Sequence, residues 1–141
     1  MADPLALEQQ LCFALYTASR ALTGRYRPLL DELGLTYPQY LVMLALLDRG
    51  PLTVKDLGQA LRLDSGTLSP LLKRMESAGI LRRTRGTVDE RSVLVELTAD
   101  GEALRAPIRQ LPRTVFRDLD TPLEDLIDLH SRLTAFLTKV S

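Results

Sequence analysis

The apolar positions of the chain fall into blocks whose spacing changes along its length, and those changes divide it. Leu7, Leu11, Leu15, Ala18 and Leu22 recur three or four residues apart. They stay within about 40° of one direction at 100° per residue, which predicts a first amphipathic helix. The stretch "GLTYPQYLVMLALLDRG" predicts a second, with Thr36 as N-cap, Pro38 in the first turn and Gly50 past the end. In "LTVKDLGQALRL", Thr53 caps a third helix with Leu57, Leu61 and Leu63 facing inward. "DSGTLSPLLKRMESAGI" then has a polar start, an apolar face of Leu68, Leu71, Leu72 and Met75, and Gly79 at its close. Its Pro70 fits a helix beginning near Thr67, because first-turn amides have no intrahelical partner. Two short helices in succession, the second polar at its start and basic further along, form a helix-turn-helix pattern.

After Gly79 the period changes. "ILRRTR" and "SVLVELT" are β-prone segments on either side of "GTVDER", a hairpin with a charged tip in the position of a wing. Helical spacing resumes from a Thr98 cap in "LTADGEALRAPIRQL", with Pro107 and Pro112 placed to bend or interrupt it. From Pro122 a last helix runs through "LEDLIDLHSRLTAFLTKV". Its Leu126, Leu133 and Val140 are seven apart, with Leu129, Phe136 and Leu137 between them. Terminal helices that are apolar on several sides predict a homodimer. The expected fold is mainly α with a small β-wing. A winged helix-turn-helix over about residues 36–98 sits within a single 1–141 chain, dimerised through N- and C-terminal helices at about 5–33 and 99–140.

The bulk properties narrow the function. The longest apolar run, "YLVMLALL" at 40–47, is eight residues, far short of a membrane span. "MADPLALEQQ" lacks the basic and apolar regions of a signal peptide, so a cytoplasmic protein without a membrane role is expected. One cysteine cannot form an internal disulfide, and with one histidine it makes a poor metal site. There is no glycine-rich phosphate loop after a strand, no HExxH and no CxxC, so neither a cofactor nor an enzyme of ordinary kind is expected. His130 reads as an ordinary surface or packing residue.

Net charge is zero, but it is unevenly spread. Residues 62–91 carry seven basic side chains against four acidic ones, so this middle segment stands at +3 and the remainder at −3. A basic middle between neutral or acidic ends suggests a local anion-binding surface, and placed on a winged helix it points to double-stranded DNA. Ser65, Thr67 and Ser69 stand at the start of the second helix of the pair, where short hydroxyl side chains approach phosphates or base edges. Lys73 and Arg74 lie one to two turns later and can hold the backbone. Arg85 belongs to the wing. Arg91, in the hairpin, has the length to enter a minor groove, and Asp89 can orient its guanidinium.

Cys12 in "LCFALYTASR" lies about 100° away from the main apolar stripe of helix 1, on a flank shared with Tyr16 and Ser19. On the residues alone it is either a small hydrophobe or a reactive thiol.

The sequence resembles the MarR family of winged-helix repressors, and within it the OhrR group of organic-hydroperoxide sensors, over roughly residues 7–138. "LDSGTLSPLLKRMESAGIL" followed by "DERSVLVELTADG" carries the family pattern. "LCFALYTASR" and "GLTYPQYLVMLALL" carry that of the group. The resemblance implies that Cys12 is the peroxide sensor, with Tyr26 and Tyr37 hydrogen-bonding around its sulfur. Those hydroxyls and a helix N-terminus would favour the thiolate, the form that attacks peroxide. If helix 1 is continuous, Tyr26 is 14 residues from Cys12, or about 21 Å along the axis. Any contact between them must then come from a dimer partner.

One branch of the group has a second, resolving cysteine, which this chain lacks. The oxidised Cys12 is therefore expected to condense with a low-molecular-weight thiol, form a cyclic sulfenamide, or oxidise further. The implied function is a repressor that leaves an inverted-repeat operator when organic hydroperoxide oxidises Cys12. Two alternatives stay open: a repressor released by a small aromatic ligand, with Cys12 only packing, and a thiol peroxidase.

Overall fold

The structure is a computed structural model that describes residues 4–86 and 92–141. After a 3₁₀ turn at Leu7–Gln9 come α1 (Leu11–Glu32), α2 (Tyr37–Arg49), β1 (Leu52–Thr53), α3 (Val54–Leu61) and α4 (Ser65–Ser77). They are followed by β2 (Leu81–Arg85), β3 (Val93–Leu97), α5 (Ala99–Glu102), α6 (Arg105–Arg117) and α7 (Leu123–Val140). The three strands form an antiparallel sheet in the order β1-β3-β2, with Leu52 opposite Val95 and Arg83 opposite Val95 on the other side. This is a winged helix-turn-helix. The chain divides into two compact units, the residues up to Leu111 and those from Pro112 to Ser141.

The expected caps form. Thr36 and Gln39 make a reciprocal capping box, the Gln39 N–H donating to Thr36 Oγ1 and the Thr36 N–H to Gln39 Oε1. Thr53 accepts from Asp56 N–H, and Thr98 from Gly101 N–H. The expected inward positions Leu57, Leu68, Leu71, Leu72 and Met75 are buried, joined by Met43 and Leu46 of α2 and by Leu81 and Val95 of the sheet, whereas Leu61 and Leu63, also expected inside, are half-buried.

Four details differ from the sequence reading. Leu7 lies in the 3₁₀ turn, so α1 begins at Leu11 and Cys12 becomes its second residue. The α4 helix begins at Ser65 rather than near Thr67, because Asp64 Oδ1 accepts the Thr67 N–H at 2.7 Å and caps it earlier. Pro70 is therefore its sixth residue, beyond the turn where a missing N–H costs nothing. The helix after Thr98 is interrupted at Ala103–Leu104, ahead of both prolines, while Pro107 falls in the first turn of α6 and Pro112 inside it. Finally, the wing hairpin gains a third strand, the two-residue β1 that leads into Thr53.

Candidate functional site

Tyr26, Tyr37 and Tyr40 meet where α1 turns into α2. The turn is fixed by backbone geometry. Leu35 N–H donates to Leu30 O and Gly34 N–H to Asp31 O, with Gly34 left-handed at φ 71°. That pair of bonds closes a helix through a left-handed residue, and the accompanying Leu30–Leu35 positions are both buried. The capping box then starts α2 at once, with Pro38 in its first turn. Tyr37 and Tyr40, three apart, share a face of that first turn, and Tyr26 reaches them from α1.

The three rings pack as a closed triangle. Ring centroids are 5.4 Å apart for Tyr26–Tyr37, 5.4 Å for Tyr26–Tyr40 and 5.6 Å for Tyr37–Tyr40. The Tyr26–Tyr37 contact is edge-on at 71°, an arrangement in which a positive ring edge meets a negative face. Tyr26 and Tyr40 are buried, 7% and 2% exposed, while Tyr37 is half-buried. Burial raises all three phenols above their ordinary value, so they are protonated hydrogen-bond donors at neutral pH. The sequence reading contained Tyr26 and Tyr37 but not Tyr40. Its only sequence signal was its place three residues after Tyr37.

Cys12 is not at this cluster. It is exposed, and none of residues 11–25 is buried: Leu11 and Tyr16 are each 59% exposed. The apolar stripe of α1 has two halves. Its C-terminal half, Tyr26 and Leu30, enters the core. Its N-terminal half, beside Cys12, is uncovered. Since α1 is one continuous helix, the 14 residues from Cys12 to Tyr26 span about 21 Å.

Beside the tyrosines, a groove of about 500 Å³ runs along α1 and the start of α2, lined by Arg20, Thr23, Arg27, Asp31, Thr36 and Tyr37 among others. The Arg20 guanidinium lies 5.3 Å from the centre of the Tyr16 ring.

A second surface lies on the helix-turn-helix. Ser65, Thr67, Ser69, Lys73 and Arg74 are all exposed on α4, and Arg85 is exposed at the end of β2. Asp89 and Arg91 lie outside the described residues. The Thr67 backbone N–H, and then the Thr67 side chain, hold the capping Asp64 carboxyl below its ordinary value. Two of the arginines counted in the basic segment are neutralised locally. Arg82 Nε pairs with Glu96 Oε1 at 2.8 Å across the β2–β3 ladder. Arg83 pairs with Glu76 at 3.0 Å. Lys73, Arg74 and Arg85 therefore carry more of the accessible positive charge than a residue count suggests. A groove of about 700 Å³ between α3, α4 and the sheet adds Lys55 and Ser92 to this face, neither of them anticipated from sequence.

Three comparisons bear on these surfaces. The sequence model of the SarA/Rot family of transcriptional regulators matches residues 25–108. The organic hydroperoxide resistance transcriptional regulator of Bacillus subtilis is 50% identical over 135 residues, covering 96% of this chain and 92% of that protein. The regulator SarZ of Staphylococcus saprophyticus is 40% identical, over 94% of this chain and 91% of its own length. Among solved structures, reduced AbfR bound to DNA superposes with a TM-score of 0.80 at 32% identity, over 95% of this chain and 94% of that one. AbfR has also been solved in a disulfide-formed state, with a TM-score of 0.71. These relatives are transcriptional regulators rather than enzymes. Among the described residues no helix is long and apolar enough to cross a membrane.

Proposed function

Because the chain belongs to the MarR family of winged-helix transcriptional regulators, with an organic hydroperoxide resistance regulator among its relatives, we propose that it is a peroxide-sensing repressor. It binds DNA as a homodimer, and Cys12 is the sensor. The observation that carries this reading is the division of one site between the two ends of α1. An exposed thiol stands on an uncovered apolar half-helix, and a ready-made set of phenol donors stands about 21 Å away on the same helix. Only a second copy of the chain can bring the two together. The exposed apolar side chains of α7, among them Leu129, Leu133 and Leu137, supply further surface for that pairing.

In this reading Tyr26 and Tyr37 donate hydrogen bonds to the sulfur of Cys12 in the partner subunit. The thiolate attacks one oxygen of the hydroperoxide, the O–O bond breaks, and the alkoxide takes up a proton and leaves as the alcohol. Sulfur is oxidised to sulfenic acid as the peroxide is reduced. A low-molecular-weight thiol then condenses with the sulfenic acid, releasing water and leaving a mixed disulfide. The added bulk at a packed interface alters the spacing between the two α4 helices. Weakening operator binding about 100-fold requires only about 2.7 kcal/mol of coupling.

On DNA, α4 lies in the major groove with Ser65, Thr67 and Ser69 near base edges and phosphates. Lys73, Arg74 and Arg85 hold the backbone, and Arg91, oriented by Asp89, enters the minor groove. The operator is an inverted repeat with half-sites about one helical turn apart. The test is intact-mass measurement alongside operator binding, before and after one equivalent of organic hydroperoxide. Oxidation confined to Cys12, in step with operator release, is the expected result. Release with Cys12 still reduced would overturn the reading.

One observation favours a second reading. The groove between Arg20, Arg27 and Tyr37 has cationic and aromatic walls suited to a small aromatic acid, although Asp31 opposes an anion there. A ligand response retained by Cys12→Ser would support it.

A further inference from the structure

We propose that Glu76 is a positioning residue for operator binding: its carboxylate clamps the stem of the wing to the end of α4 through Arg83, and so sets where Arg85 meets the DNA backbone. The inference rests on the DNA-binding reading of α4 and Arg85 and extends it to a side chain that does not touch DNA.

The wing needs a clamp because β2 is an edge strand. In the order β1-β3-β2 it has a partner on one side only. In an antiparallel pair, alternate residues turn their backbone N–H groups away from the partner strand, and on an edge those donors meet no ladder. Arg83, opposite Val95, is one of them. Its N–H donates to Glu76 Oε2 at 2.8 Å instead. Its guanidinium donates to the other oxygen of the same carboxylate, from Nη2 at 3.0 Å and from Nε at 3.3 Å. One side chain of α4 thus holds both the backbone and the side chain of one strand residue. The bond to the backbone fixes the strand itself, which an ion pair between two flexible side chains would not do.

Strand alternation carries the constraint to Arg85. Side chains two apart in a strand leave the same face, about 6.6–6.8 Å from one another. Arg82 leaves the opposite face and pairs there with Glu96 at 2.8 Å across the ladder. Arg83 and Arg85 share a face, and with Glu76, Thr84 and Val93 they line one groove of about 290 Å³. Glu76 takes up the charge of Arg83, which leaves Arg85 as the exposed cation of that face. The Arg85 side chain therefore extends from a stem held two residues earlier to α4. Two surfaces kept in a fixed relation lose little freedom when both meet one duplex.

The test measures operator affinity over a range of salt for the full-length protein carrying Glu76→Ala, Arg85→Ala or both, at a temperature where circular dichroism finds each one folded. Arg85→Ala should weaken binding about tenfold per half-site and lower the salt slope by about 0.9 per subunit, as one lost phosphate contact does. Glu76→Ala should act in the same direction, although it removes a negative charge, a change that long-range electrostatics alone would turn into tighter binding. The double variant should bind within about twofold of the weaker single variant, since Glu76 acts through the placement of Arg85. Effects that multiply would overturn the positioning role. So would wild-type or tighter binding by Glu76→Ala beside a weakened Arg85→Ala, a result that would leave the DNA surface standing. Wild-type affinity in Arg85→Ala would overturn the contact on which the proposal rests. Arg83→Met serves if Glu76→Ala does not fold, because it keeps the backbone bond and loses the guanidinium. Arg85→Ala should cost less in that background than in the wild type, and an undiminished cost would contradict the proposal.

Discussion

Glu76, in the last turn of α4, holds Arg83, in the middle of β2, by three hydrogen bonds. Its Oε2 accepts the Arg83 backbone N–H at 2.8 Å, and its Oε1 accepts Nη2 at 3.0 Å and Nε at 3.3 Å. One carboxylate thus joins the end of α4 to the outer edge of the wing sheet. The Arg83 backbone N–H, and then its side chain, hold the Glu76 carboxyl below its ordinary value of 4.5. A carboxylate depressed in the folded state contributes stability above its unfolded pKa, and that contribution is lost as pH falls through the folded one. The melting temperature should therefore fall as pH drops below about 4.5. Glu76→Gln should flatten that fall, measured by circular dichroism across the range. Asp64 titrates in the same direction through its Thr67 bonds, so the curve flattens without becoming level.

Gly101 has a different role, set by space. A Cβ built there would collide with the carbonyl oxygen of Ile80, in the turn that leads from α4 into β2. Backbone cannot yield as a side-chain tip can. Gly101→Ala should cost roughly 2–3 kcal/mol and lower the melting temperature by about 5–10 °C. A melting temperature within a degree or so of wild type would show that this approach is looser than the geometry states.

The DNA surface is tested by salt. Binding should weaken linearly in log[salt], with a slope of about −0.9 per phosphate neutralised. Lys73→Ala should reduce the slope by about one contact while weakening all operators alike. Arg91→Ala should lose affinity with the dimer intact. An unchanged operator affinity in Arg91→Ala would remove the wing from DNA binding.

Dimerisation is tested on α7, none of whose residues is buried within the protomer. Leu133→Glu combined with Leu137→Glu places two charges on the exposed apolar face. Sedimentation should then show monomers, and operator binding should be lost with them. A stable dimer that still binds operator would place the interface elsewhere.

The helices, three threonine caps and the core face of α4 were legible in the sequence because each is set by local spacing and capping chemistry. What was not legible depends on distant partners. Two residues, Leu52 and Thr53, have no period to read, and they become a strand only because β3 offers Leu94 and Val95 to pair with. Pro70 suggested a later start for α4, and the Asp64 side chain overruled it. Tyr26 and Tyr37 were picked out by resemblance. Tyr40 joins them only when the α1–α2 turn closes, which single-helix periodicity cannot report. Arg83 counted as a free cation until Glu76, seven residues earlier, was seen to hold it. Cys12 lies on the flank of α1 that the pattern gave it, and its separation from Tyr26 follows from helix continuity alone.

The most direct test of the sensor is the Cys12→Ser protein bound to its operator and treated with organic hydroperoxide. Serine is close to cysteine in size and keeps a hydroxyl for the tyrosines, so the variant should fold, dimerise and bind operator nearly as wild type does. An alcohol cannot become a sulfenic acid, so the variant should stay bound at peroxide levels that release the wild type. A mixed disulfide should form on wild-type Cys12 when a small thiol is present, and reductant should restore binding. A Cys12→Ser protein that leaves its operator on peroxide treatment would contradict the assignment of Cys12 as the sensor.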